Sequence, residues 1–278
     1  MRPMSAETFQ RSTIERLRVA SSAGTLHARV IRPLLIRRRP LLVLHGISRN
    51  ARELTQLFRK EAERTGRPVI VPHFKQKDWP HFQRPSAAAR PDQAILELLN
   101  VIAATHPEYG RNFDVFGHSG GAQLAHRLAM LYPQRFGTVS LAAAGWYCLP
   151  DESMPYPYGL APGEMKDAVD WIRRKRAGLD AYLRLPLRIY VGDEDIERDE
   201  ALRTGAALDA GQGRTRRDRA HAYARAVRGA AERRGIAPDV TMTELPGCHH
   251  DVEQSITEGG LARLVTGPAP VGFGRTLS

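Results

Sequence analysis

The stretch Phe113-Asp114-Val115-Phe116-Gly117-His118-Ser119-Gly120-Gly121 sets a serine in a Gly117-x-Ser119-x-Gly121 pattern. An apolar run of strand character precedes it. A helical stretch from Gly120 to Tyr132 comes next, with Leu124, Leu128 and Leu131 on one stripe. A serine held between strand and helix is placed to act as a nucleophile. Such a turn is tight and its backbone strained, so the positions two before and two after must be nearly free of side chain. The turn lifts the hydroxyl clear of the sheet edge. It also sets a helix N-terminus beside the reacting carbon, where free N–H groups and partial positive charge face a developing oxyanion. Two further clusters have chemical potential. One is the acidic run Asp193, Glu194, Asp195, Glu197, Asp199 and Glu200; the other is the histidine pair His249-His250. Taken alone, these also fit a solvated acidic face and a chance pair. His73 and His81 flank Trp79 without a cysteine or carboxylate ligand set, and Cys148 and Cys248 lack ligand spacing, so the sequence predicts no metal and no cofactor.

These residues fall at the ends of elements that alternate along the chain. Ile14 to Val19 and Leu26 to Ile31 read as an antiparallel pair. Pro40 to His45 is a continuous apolar run, as a strand buried on both faces should be. A helix over Ala51 to Arg64 stops at Gly66, and Pro68 to Pro72 is the next strand. Pro91 opens a helix that runs to Thr105 with Ile95, Leu98, Leu99 and Ile102 at core spacing. Later strands cover Phe113 to Phe116, Thr138 to Ala143, Leu187 to Val191 and Val240 to Leu245, with helices over Arg217 to Arg234 and Asp251 to Leu264. Strand and helix in this alternation predict an α/β fold, a mostly parallel central sheet with helices on both faces. The segment 146–183 breaks the rhythm with four prolines, several aromatics and a charged helix over Glu164 to Ala177, and reads as a small cap or lid inserted in one domain spanning 1–278. Asp209 to Asp218 reads as a polar loop.

Composition removes other classes. The net charge is +11, which invites a nucleic-acid reading. Only five of the 41 basic residues are lysine, however, and the arginine runs at 37–39, 173–176 and 214–219 lie far apart without interleaved aromatics. No nucleic-acid partner is expected, although the overall field can draw anions. The longest apolar stretch, Leu141 to Leu149, is far short of the ~20 residues needed to span a bilayer. Met1 to Arg18 has no apolar leader core, and the expected location is the cytoplasm, without a membrane partner. Oligomeric state is not readable.

The nucleophile pattern, with its flanking strand and helix, resembles the α/β-hydrolase superfamily over about Leu26 to Leu264. The resemblance implies an acid after one strand and a histidine after the last, in that chain order. Gly192-Asp193-Glu194-Asp195 looks like the family's acid turn and selects Asp195, with Asp193 as the alternate. Pro246-Gly247-Cys248-His249-His250-Asp251 looks like its histidine loop and selects His250. His249 stands where the family often has glycine and is the alternate. The oxyanion donors implied are the N–H of Gly120 and that of Ile47, in the loop His45-Gly46-Ile47-Ser48-Arg49-Asn50. His45 is expected to hold that loop, and His118 to pack or bond locally.

The activity that the resemblance implies is that of a serine hydrolase, cleaving carboxylic esters of small to medium acyl groups through an acyl-enzyme on Ser119. Its partner would be a small-molecule acyl substrate. Other acyl chemistry on the same residues (thioesterase, peptidase, acyltransferase), or a ligand-binding protein that has lost turnover, are the alternatives. The strings around Gly46 and Ser119 are similar to bacterial esterases of the polyhydroxyalkanoate-depolymerase-like group. Phe74, Trp79, Trp146 and Tyr147 are candidate linings of an apolar acyl pocket, or packing for the cap.

Overall fold

The computed structural model describes residues 12–163 and 168–267. Eight strands form one sheet: β1 (Thr13–Ser21), β2 (Gly24–Arg32), β3 (Leu41–Leu44), β4 (Val69–His73), β5 (Phe113–His118), β6 (Phe136–Ala142), β7 (Leu187–Gly192) and β8 (Val240–Leu245). Their spatial order is β1-β2-β4-β3-β5-β6-β7-β8. β1 pairs with β2, and β2 with β4, antiparallel; every other pairing is parallel. The α/β expectation, with its early antiparallel pair, holds.

Strand β3 shows why its sequence is apolar throughout. Leu42 and Leu44 join the core on one face of the sheet, beneath α2 (Pro91–Thr105) and α3 (Gly120–Leu131). Leu41 and Val43 join the core on the other face, with Leu54 and Phe58 of α1 (Ala51–Thr65) and Leu261 and Val265 of α8 (Leu261–Thr266). Successive side chains of a strand alternate faces, so a strand covered on both sides has no polar register. The chain leaves β3 for β4 on one side, then returns past it to β5 on the other. This reversal opens a crevice at the carboxyl ends of β3 and β5, where open α/β sheets bind ligands.

Three elements differ from expectation. The segment 209–218 is largely helical: α5 (Ala206–Gln212) ends there and α6 (Arg216–Arg233) begins. The Thr215 side chain accepts from the Asp218 N–H at 3.1 Å, and Asp218 caps reciprocally, so the polar residues here start a helix. Asp209 ties α5 to Arg198 and Arg219 through ion pairs that span 11 and 10 positions of the chain. The terminal helix is broken into α7 (Val252–Thr257) and α8 at Gly259-Gly260, where Gly260 has φ 66°. In the 146–183 segment, residues 146–163 run as turns and bends, and the expected helix start at 164–167 lies outside the described residues. Helix α4 (Ala168–Leu183) buries Trp171, Ile172, Leu179, Tyr182 and Leu183 in the layer shared with α3 and α6, crossing from β6 to β7. Among the described residues no helix is long and apolar enough to cross a membrane.

Candidate active site

Ser119 sits at the turn from β5 into α3 with φ 53° and ψ −117°, a strained conformation for a residue with a side chain. The flanking glycines are required by backbone contact. A Cβ on Gly117 would stand 2.3 Å from the carbonyl carbon of Gly121, and one on Gly121 would stand 2.1 Å from the carbonyl oxygen of Leu44. The Ser119 N–H donates to Ala142 O at 2.8 Å, fixing the turn to the end of β6.

Three distant side chains meet here. Ser119 Oγ lies 3.1 Å from His250 Nε2, and His250 Nδ1 lies 2.8 Å from Asp195 Oδ2. The acid turn and the histidine loop are laced together by backbone bonds, Asp193 N–H to Leu245 O and Glu194 N–H to Cys248 O. A Cβ on Gly192 would fall 1.9 Å from Cys248 O, so the glycine ending β7 allows this approach. The alternates lie elsewhere. Asp193 accepts the Gly247 N–H at 2.7 Å and so braces the histidine loop from below. His249 is exposed, and its N–H donates to Gln254 Oε1.

Asp195 is 1% exposed. Behind it stands the buried guanidinium of Arg216, 3.5 Å from Asp195 Oδ1, with a second contact of 2.8 Å to Asp199. A buried carboxylate needs such compensation, since an uncompensated charge in a low-dielectric interior is costly. The buried His118 ring stacks on His250 at 5.1 Å. Burial, then the neighbouring His250, holds its pKa well below the ordinary histidine value, so it stays neutral beside the site.

The loop after β3 faces the serine. A Cβ on Gly120 would lie 3.5 Å from Ile47 N, so the Ile47 amide nitrogen comes close to the start of α3. Neither the Ile47 nor the Gly120 N–H has an acceptor among the described residues. His45 is fully buried; its Nδ1 bonds Gly46 O at 2.7 Å and its Nε2 accepts the Phe74 N–H at 3.0 Å. Burial lowers its pKa to about 4, which fixes it as a neutral loop anchor. Arg49 donates to Phe74 O, to Trp79 O at 3.1 Å and to Pro80 O at 3.2 Å, and its guanidinium lies over the Phe82 ring. It thereby ties the 74–82 loop to the Ile47 loop. Nothing in the sequence distinguishes this arginine from the 35 others.

Of the four aromatic pocket candidates, Trp146 alone lines the cleft at Ser119, a cavity of about 250 Å³. Phe74 is turned inward against Phe82 and His45, and Trp79 packs edge-on against Phe74 and donates its indole N–H to Thr25 O, while Arg49 holds the backbone carbonyls of both. Tyr147 stacks face to face on Tyr223 at 4.1 Å, and its backbone N–H and C=O are both held by the buried Gln212 amide. These three are packing residues. Among the described residues no cluster of three or more His, Cys, Asp or Glu side chains is arranged to hold a metal ion.

The fold is that of the α/β-hydrolases. No protein-family model and no curated protein matches the chain. Solved structures do. Poly(aspartic acid) hydrolase-1 from Sphingomonas sp. KT-1 superposes with a TM-score of 0.75 and 22% identity, over 92% of this chain and 97% of that one. LpqC, a poly(3-hydroxybutyrate) depolymerase from Bordetella parapertussis, gives 0.73 and 26%, over 91% and 90%. FphF, a fluorophosphonate-binding serine hydrolase of Staphylococcus aureus, gives 0.60 and 14%, over 93% and 100%. The likeness to depolymerase-like esterases read from the Gly46 and Ser119 strings is thus matched by structure.

Proposed function

We propose that the chain is a serine hydrolase cleaving carboxylic esters of small to medium acyl groups, with Ser119, His250 and Asp195 as a catalytic triad. The observation that carries this is the unbroken line of contacts from Asp195 Oδ2 through the His250 ring to Ser119 Oγ, at 2.8 and 3.1 Å. His250 Nε2 takes the Ser119 proton as the Oγ–C bond forms, and Asp195 keeps Nδ1 protonated and the ring oriented. The Ile47 and Gly120 amides donate to the oxyanion. The C–O bond to the alcohol breaks as His250 passes the proton to the leaving oxygen. Water then attacks the acyl carbon, gives a proton to His250, and the acid departs as Ser119 Oγ regains it. A neighbour that is a poly(3-hydroxybutyrate) depolymerase and others that are esterases favour the ester reading.

The test is turnover of p-nitrophenyl acetate and butyrate by the wild type and by Ser119→Ala. The variant is expected to lose at least about 10³-fold in kcat/KM. Equal rates for the two proteins reject the mechanism.

A further inference from the structure

Two cavities open at Ser119, and they carry opposite charge. The first, of about 250 Å³, is bounded by Arg84, Arg203, Arg216 and His81 and has no carboxylate in its lining. The second, of about 310 Å³, is bounded by Glu53, Asp251 and Glu253, has no arginine or lysine, and contains His250. The serine-hydrolase reading tells which half of an ester enters which cavity. His250 Nε2 must reach the leaving oxygen to protonate it, so the alcohol lies on the His250 side. The acyl chain then extends into the arginine-lined cavity.

We propose that the acyl group this site accepts ends in a carboxylate, bound by Arg203; the inference rests on that reading of Ser119. Arg216 is already engaged by Asp195 and Asp199. Arg203 is different. Its guanidinium lies 5.5 Å from the Trp146 ring centre and 5.5 Å from that of Tyr158, and no carboxylate pairs with it among the described residues. Cation–π contact with two rings set at 71° to each other restrains the guanidinium while leaving N–H groups to a ligand, and such a fork suits a two-oxygen anion. Arg84 and Arg203 also border the larger groove, about 1080 Å³, whose lining includes Tyr156, Tyr158 and one carboxylate, Asp151. Arg203 therefore stands where the acyl cavity opens outward, on the path of an acyl chain leaving Ser119. The same carboxylate on the alcohol half would meet Glu53, Asp251 and Glu253. The carboxylate is a spectator to acyl transfer; it sets which esters bind productively.

The position dependence separates this site from the attraction of a +11 protein for anions in general. Rates of acid release are measured for four esters in a pH-stat. Two carry the acyl comparison: ethyl hydrogen succinate and its uncharged isostere ethyl 4-methylpentanoate. Two carry the alcohol comparison: 3-(butanoyloxy)propanoate and 3-methylbutyl butanoate. The wild type is expected to favour the succinate half-ester over its isostere by about tenfold or more in kcat/KM, the worth of one charge-assisted contact. It should show no such preference for the carboxylate on the alcohol half. In Arg203→Gln the succinate preference should fall about fivefold or more. A smaller wild-type preference, an equal preference in both halves, or a preference that survives that substitution overturns the inference. If the neutral esters turn over while any of these holds, only the inference fails. If no ester turns over and a fluorophosphonate leaves Ser119 unlabelled, the hydrolase reading fails and takes this one with it.

Discussion

Substituting Asp195 by asparagine tests the charge arrangement behind His250 with almost no change of shape. The new amide has two orientations. With its oxygen toward His250 Nδ1, its NH₂ group would face the Arg216 guanidinium, which stands 3.5 Å from the present Oδ1. Two donors would then oppose each other in a site that is 1% exposed. The other orientation points the NH₂ group at Nδ1, 2.8 Å away in the native contact. The imidazole must then carry its proton on Nε2, where it can no longer accept the Ser119 proton. Arg216 therefore drives the variant into the unproductive tautomer, and leaves one buried positive charge less compensated. The expected loss is about 10⁴-fold in kcat with p-nitrophenyl butyrate, or about 5 kcal/mol of transition-state stabilisation. Asp193→Asn is the control. Its oxygen still accepts the Gly247 N–H, so it should lose less than about tenfold. Retention of kcat by Asp195→Asn to within about tenfold, or a greater loss in Asp193→Asn, refutes the reasoning.

Gly121→Ala drives a methyl group to 2.1 Å from Leu44 O and should lower stability by about 2 to 3 kcal/mol, read by thermal unfolding; an unchanged midpoint contradicts the backbone contact. His45, lowered to about 4 in the fold from 6.5 when unfolded, binds its proton more readily in the unfolded chain, so its contribution is full above pH 6.5 and is lost as pH falls toward 4. By pH 5 this is about 2 kcal/mol. Urea unfolding at pH 5 and 7 should show His45→Gln with the shallower loss; equal losses would contradict it. Lys175 is fully buried, its Nζ lacks a hydrogen-bond partner among the described residues, and burial lowers its pKa to about 8. The rings of Tyr156 and Trp171 offset part of that cost, and Lys175→Met should stabilise by about 1 to 2 kcal/mol at neutral pH; a lower melting temperature would oppose this. Arg49→Met removes the three bonds to the 74–80 backbone, so limited proteolysis should cut that loop faster, and unchanged cleavage would deny Arg49 its anchoring role.

Where chemistry and secondary structure coincide, the sequence is transparent. β3 reads as a two-sided strand because Leu41 to Leu44 alternate between two cores. The serine turn reads clearly because Gly117 and Gly121 answer a local backbone contact. The acid and histidine turns come directly after β7 and β8, and a short motif marks each. The hidden features depend on contacts across the chain. The backbone carbonyls of Phe74 and Trp79 are held by Arg49, about 25 to 30 positions away. Tyr147 is fixed by Gln212, 65 positions on, in a helix whose residues look like loop in isolation. Arg203 and Arg216 belong to an arginine-rich background in which local pattern gives no sign of which guanidinium faces the cleft.

The central claim is that Ser119 is an activated nucleophile. Incubation with a fluorophosphonate, digestion and peptide mass mapping test it most directly. The account predicts one adduct, on the peptide bearing Ser119, formed at least about 10²-fold more slowly in His250→Ala. A protein that stays unmodified, or is modified at another residue, contradicts it.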